Sequence, residues 1–285
     1  MSSRASTLVA ADLGRPRVMG VVNVTPDSFS DGGRFMATDA AIAHGLALLD
    51  LGADLIDVGG ESTRPGATRP VVSEELDRVV PVIAALAEAG AAISVDTMRA
   101  EVAQAAVDAG ALVVNDVSGG LADPRILDVV ASADVAYVLM HWRAHSTEMQ
   151  EHTSYAAGVV AGVRAELSSR VDEALARGVD PTRLVLDPGL GFSKTYAQNW
   201  DLVRHLDQVT VGSLPILVGA SRKSFLGHLL ADDAGPRPVP QREFAHNALI
   251  TLLAHHGVWG LRVHDVRACR DALAVVTQWQ DGTEP

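Results

Sequence analysis

One local pattern recurs along this chain and restricts its fold more than any other feature: a glycine, an apolar run, and a polar residue closing the run. Leu51-Gly52 leads into Leu55-Ile56-Asp57-Val58, Ala89-Gly90 into a strand Ala92 to Val95 with Asp96 at its tip, and Ala109-Gly110 into a strand Leu112 to Asn115 followed by Asp116. Gly178 precedes Leu184-Val185-Leu186-Asp187, and Gly257 precedes Gly260-Leu261-Arg262-Val263-His264. Glycine suits the left-handed residue that closes a helix, so the unit reads as helix end, turn and buried strand. Strands alternating with helices imply a parallel sheet, because the chain must return across the sheet before each new strand.

Val18 to Val22, ending at Asn23, supplies a first strand, Val135 to Met140 a fifth and Pro215 to Val218 a seventh. Eight such units in about 250 residues is the count of a (β/α)8 TIM barrel. The expected organisation is a single barrel domain over 17–285 behind a flexible segment, 1–16. A doubly wound open sheet is the alternative, but it does not need eight units, and no G-x-G-x-x-G dinucleotide turn is present. Thr38 is expected to cap a helix with Ile42, Leu46 and Leu49 on one face. Ser73, Glu74 and Glu75 begin the next, acids near its positive end, with Leu76, Val79, Val80, Ile83 and Leu86 as its stripe and a kink at Pro81.

The 285 residues, 48% hydrophobic, can bury a large core. A formal charge of −12 repels phosphate on average and argues against nucleic acid or an anionic membrane as partner. No stretch approaches the roughly 18 apolar residues of a membrane span. The single cysteine, Cys269, excludes an intramolecular disulfide and reads as a buried small hydrophobe; a cytoplasmic address is the expectation. His141, His145 and His152 lie in a polar stretch, 141–154, that reads as a solvated loop rather than a metal site, because no carboxylate or cysteine pattern completes a ligand set.

In a barrel the strand tips share one mouth. Asp57, Asp96, Asn115 and Asp187 would converge there and repel one another unless they bind a ligand rich in hydrogen-bond donors or hold a divalent metal. Each acid alone could merely cap a helix or form a local ion pair. Arg64, Lys223, Arg262 and His264 form a second group; residues two apart on a strand share a face, so Arg262 and His264 can point inward together and cradle a diphosphate. Asp187-Pro188-Gly189-Leu190-Gly191-Phe192 is a tight, permissive loop that lets Phe192 approach a flat ligand.

These stretches, with Asn23 to Gly33, Asp57 to Gly66, Ser94 to Thr97, Asn115 to Gly120, Gly219 to Lys223 and Arg262 to Asp265, closely resemble the dihydropteroate synthases of folate biosynthesis, from about Val18 to the end of the chain. The resemblance implies condensation of 6-hydroxymethyl-7,8-dihydropterin diphosphate with 4-aminobenzoate, releasing pyrophosphate. It implies that Asp96, Asn115, Asp187, Gly219 and Lys223 hold the pterin, with Val117 and Met140 packing near its ring and Asp57 flooring the pocket. Asn23, Thr63, Arg64, Arg262 and His264 would grip the diphosphate, with Mg2+ on Asn23. Phe29, Thr63, Arg64, Pro65, Phe192 and Ser221 would receive the aminobenzoate, and Arg64, Lys223 and Asp96 would carry the chemistry. A homodimer is implied in the same way. A barrel that binds pterin without turnover, and one that transfers methyl groups from a folate, are the competing readings. The loop from Ser62 to Gly66 and the run Ser221-Arg222-Lys223 favour the synthase.

Overall fold

A computed structural model describes residues 3–24, 34–61, 69–145 and 148–281. The strands are β1 (Arg17–Asn23), β2 (Leu55–Gly59), β3 (Ile93–Asp96), β4 (Val113–Asp116), β5 (Ala136–Met140), β6 (Leu184–Asp187), β7 (Leu217–Val218) and β8 (Gly260–Val263). All pair in parallel in the order β6-β5-β4-β3-β2-β1-β8-β7. A parallel bridge from Leu186 to Ile216, with the Leu186 N–H donating to the Pro215 carbonyl at 2.8 Å, brings β6 against β7 and closes the barrel. The helices are α1 (Arg4–Ala10), α2 (Arg34–Asp50), α3 (Val72–Glu88), α4 (Ala100–Asp108), α5 (Ile126–Ser132) and α6 (Val159–Ala176). They continue as α7 (Tyr196–Arg204), α8 (Leu206–Val209), α9 (Ser224–Leu229), α10 (Glu243–His255) and α11 (Val266–Asp281).

The main core lies between strands and helices: Val58, Val95, Val114, Leu139, Leu186 and Val263 face outward against Leu48, Ile83, Val102, Leu127, Leu167 and Val266. A smaller apolar cluster fills the barrel floor, with Met19, Leu55, Val113, Val138, Val185 and Leu217. Helix α1 belongs to that floor, and here the expectation of a flexible start is corrected. Ala5 and Val9 pack into the cluster, the Trp259 indole donates to the Val9 carbonyl at 3.0 Å, and Arg17 donates to the Leu8 carbonyl at 2.7 Å. Such a short helix has no stability of its own; it forms because the open floor gives its apolar side something to cover.

Helix α2 begins at Arg34, so Thr38 lies inside it rather than capping it, and its buried side carries Ala41 and Leu48 while Leu46 is exposed. Small residues set that face: a Cβ at Gly45 would meet Leu86 carbons at 2.6 and 2.9 Å, so the helix is drawn in where side chains are smallest. Helix α3 starts at Val72 without a side-chain cap and runs through Pro81. Glu75 is not an exposed helix-end acid. It is fully buried, accepting from Thr97 Oγ1 at 2.6 Å and from Arg99 Nη1 at 2.7 Å.

Candidate active site

The C-terminal strand ends gather the first predicted group. Asp96 lies beside Asn115 in register, and β2 continues two residues beyond Asp57, with Gly59 level with Asp96. Asp57 is therefore a mid-strand residue one layer deeper than the rim, not a strand tip. Its Oδ2 accepts from Asn115 Nδ2 at 3.1 Å and from Arg262 Nε at 2.7 Å, while its buried Oδ1 has no partner among the described residues. Asp187, at the end of β6, accepts from the Gly189 N–H at 2.7 Å.

Arg262 corrects the expected division into an acidic group and a separate basic cradle. Its side chain enters the barrel as predicted, but Nε is taken by Asp57 and Nη2 donates to Asp96 Oδ2 at 2.8 Å. Burial disfavours the guanidinium, yet Asp57 and Asp96 outweigh that and raise its pKa above the ordinary arginine value. Burial likewise raises the Asp96 carboxyl well above the carboxylate range, with Arg262 opposing and Asp57 adding to the rise. The acids tolerate one another because a cation is threaded between them, which no spacing along the chain reveals.

Lys223 closes the loop after β7, at the N-terminus of α9, and donates from Nζ to the Leu190 carbonyl, with Nζ 5.0 Å from the centroid of the Phe192 ring. Burial lowers its pKa to about 8, with Asp187 pulling the other way. His264, just past β8, shares a 3.0 Å contact between Nδ1 and Ser221 Oγ, and its backbone N–H donates to the same oxygen at 3.3 Å. Burial, then the charges of Arg222 and Arg262, lower its pKa to about 3. That direction favours the neutral imidazole, whose remaining ring nitrogen can still offer an N–H to an anion.

Val117 and Met140 pack together with Met98, and Phe192 and Trp142 lean on them, as an apolar group separate from the main core. Met98 escaped the sequence reading because a lone methionine after a strand carries no pattern. At Gly219 a Cβ would stand 3.7 Å from Arg262 Cβ and 3.8 Å from Lys223 Nζ, filling the space between the two cations. Asp116, next to Asn115, is turned to structural work: it accepts from Ser118 N and Oγ, Gly120 N and the Tyr137 hydroxyl at 2.6 to 2.8 Å. Phe29, Thr63, Arg64 and Pro65 lie outside the described residues.

The histidine-bearing loop is only partly as expected. His145 and His152 are exposed, but His141 is buried at 2% exposure, its N–H donating to the Asp187 carbonyl at 2.9 Å as the sheet continues. Cys269 is buried, and burial pushes its thiol up to about 12, so it packs as an inert hydrophobe.

A family model described as "Pterin binding enzyme" matches residues 19–264. The chain belongs to that family. This pterin-binding enzyme is 54% identical to the dihydropteroate synthase of Mycobacterium leprae over 92% of its own length and 93% of the relative's. It is 40% identical to the Escherichia coli dihydropteroate synthase, covering 93% and 92% of the two chains. Among solved structures, the Xanthomonas albilineans dihydropteroate synthase with 4-aminobenzoic acid superposes with a TM-score of 0.84 at 46% identity, over 95% of this chain and 94% of that one. The same Xanthomonas enzyme in complex with 7,8-dihydropteroate gives 0.82 at 44% identity, covering 96% and 97%. The family's barrel is therefore this chain's barrel.

Proposed function

We propose that this chain is a dihydropteroate synthase, joining 6-hydroxymethyl-7,8-dihydropterin diphosphate to 4-aminobenzoate with release of pyrophosphate. The observation that carries the reading is the layout of the mouth: Asp96 and Asp187 as acceptors, Asn115 between them, Lys223 opposite, and an apolar wall of Val117, Met140 and Phe192. The edge of an aminopyrimidinone presents donors and acceptors to such a set, and the wall suits its flat faces. Likeness to relatives seen with 4-aminobenzoate and with 7,8-dihydropteroate supports the same assignment.

An arylamine is neutral and nucleophilic at pH 7, so no general base is required. The barrier lies in releasing diphosphate from the methylene carbon, and the site must neutralise the departing charge and exclude water. Arg64, Thr63, Asn23, Arg262 and His264 are the candidates for the first task, and Phe29, Pro65, Phe192 and Ser221 for seating the aminobenzoate. Asn23 ends β1 half-buried beside Gly59. Its amide oxygen is a hard donor, and Mg2+ is commonly held by one or two protein ligands with waters and substrate phosphates, so the residue fits a metal shared with the diphosphate. Bound there, Mg2+ would supply charge neutralisation for the leaving group.

Pyrophosphate release that requires both substrates together is the direct test, and its absence with both present would remove the reading. Arg64→Ala is expected to depress that release while circular dichroism stays unchanged. Lys223 supplies a pH signature: its ammonium is present below about 8 and lost above it. The kcat/KM for the pterin diphosphate should therefore fall on the alkaline side of that value, and Lys223→Met should lack the fall.

No helix among the described residues is long and apolar enough to cross a membrane; a cytoplasmic homodimer is proposed. Phe244, 90% exposed, lines up with Ala248 and Leu252 on α10, and on neighbouring α11 Val275 lines up with Trp279, 80% exposed. A second copy would cover this stripe. Phe244→Glu with Trp279→Glu is expected to halve the mass seen by light scattering.

A further inference from the structure

The loop after β6 adopts an unusual backbone, with left-handed φ at Gly189 (66°), Gly191 (83°) and the non-glycine Ser193 (49°). Glycine takes this conformation freely, but at Ser193 it costs free energy and persists only where the surroundings over-determine it. Asn199 Oδ1 accepts from the Gly191 N–H at 2.6 Å and Lys223 reaches the Leu190 carbonyl, and a further side chain binds the loop at both ends. Lys194, 2% exposed, donates to the Gly189 carbonyl, the Phe192 carbonyl and His141 Nδ1, each at 2.9 Å.

The imidazole is oriented for this. His141 Nε2 lies 3.0 Å from Glu166 Oε2, and a carboxylate can only accept, so the ring proton sits on Nε2 and Nδ1 is left as an acceptor. Burial, then the Lys194 charge, lowers the pKa of this imidazole to about 4, consistent with a neutral ring. Glu166 is held in turn by Arg143, whose Nε donates to Oε2 at 2.9 Å and whose guanidinium stacks 3.8 Å from the Tyr155 ring centroid. The Tyr155 hydroxyl returns to the loop, donating to the Ser193 carbonyl at 3.1 Å. Burial lowers the Lys194 pKa well below the ordinary lysine value, with Asp187 pulling the other way, and Nζ sits within hydrogen-bond distance of three partners, two of them carbonyls of the loop that flanks Asp187 and carries Phe192.

We infer that Lys194, steadied by His141 and Glu166, is a positioning residue for catalysis: its buried side-chain nitrogen holds the 189–193 loop in the shape that presents Asp187 and Phe192 to the substrates. The Gly189 N–H fixes Asp187 Oδ1 at 2.7 Å, and the Phe192 ring closes the apolar wall. Holding the Gly189 and Phe192 carbonyls therefore sets both ends of the segment that meets the ligand. Lys194 has no substrate role of its own in this arrangement; it acts through the loop.

The inference rests on the synthase reading, which pyrophosphate release by the unaltered protein tests separately. Lys194→Met should raise KM for both substrates and weaken calorimetric binding of the pterin diphosphate by about tenfold or more, while kcat at saturation changes by less than about threefold. Trp259→Leu, on the barrel floor, is the stability control: it should lower the melting temperature and leave both KM values unchanged. A conservative pair supplies the rescue. His141→Gln retains an acceptor for Lys194 and a donor for Glu166 and should bind pterin within about twofold of the parent, whereas His141→Leu should bind at least about fivefold more weakly. Unchanged KM in a folded Lys194→Met protein overturns the inference. If that variant does not fold, equal binding by His141→Gln and His141→Leu overturns it, and the predicted separation supports it.

Discussion

Arg262→Met should cost about 3–5 kcal/mol of unfolding free energy, because it leaves two buried carboxylates without their shared cation. Asp57 is fully buried and Asp96 nearly so, and Arg262 lies 2.7 and 2.8 Å from their oxygens. Methionine fills part of the volume but donates nothing. For a domain of this size the loss should lower the melting temperature by roughly 6–20 °C, measured by calorimetry at neutral pH. Adding Asp57→Asn removes one of the stranded charges and should recover part of the loss, so the two changes are not additive. A single variant that melts with the parent would mean that Asp57 and Asp96 are neutralised by other means.

The second large effect is on binding. Asp187→Ala should weaken the pterin diphosphate by about 1.5–3 kcal/mol, or roughly 10- to 150-fold, because donors on the ligand lose a charged acceptor inside a buried site. Two consequences must be separated, since Asp187 Oδ1 also receives the Gly189 N–H. Asp187→Asn keeps an acceptor for Gly189 and gives up the charge. If the asparagine variant binds as poorly as the alanine variant, the loss belongs to the carboxylate's contact with ligand. Calorimetry showing unchanged affinity in the alanine variant would remove Asp187 from the pterin site.

Much of the barrel was legible because a parallel sheet writes itself locally: each strand needs a short run buried on both sides, and each return needs a helix stop. Gly52, Gly90, Gly110, Gly178 and Gly257 take positive φ where those stops were expected, and every predicted strand exists with ends shifted by no more than two residues. The convergence of Asp96, Asn115 and Asp187 followed from strand ends alone. Leu46 and Thr38 were misplaced because small residues, not large apolar ones, mark the close face of α2. Glu75 was misread because a buried acid and a helix-end acid look alike until the distant partners Thr97 and Arg99 are in place.

The same distinction separates what the chain's order of residues determined from what the folded form decided. The eight-fold alternation, the direction of the sheet and the set of polar groups at its mouth follow from short-range pattern, because backbone hydrogen bonding and burial act residue by residue. Which polar groups pair could not: Arg262 reaches Asp57 across 205 positions, Lys194 meets His141 across 53, and Trp259 meets Val9 across 250. Those partnerships, and with them the charge states of Asp96, Lys223 and His264, arise only when closure of the barrel removes water and leaves each buried group the neighbours that the fold supplies.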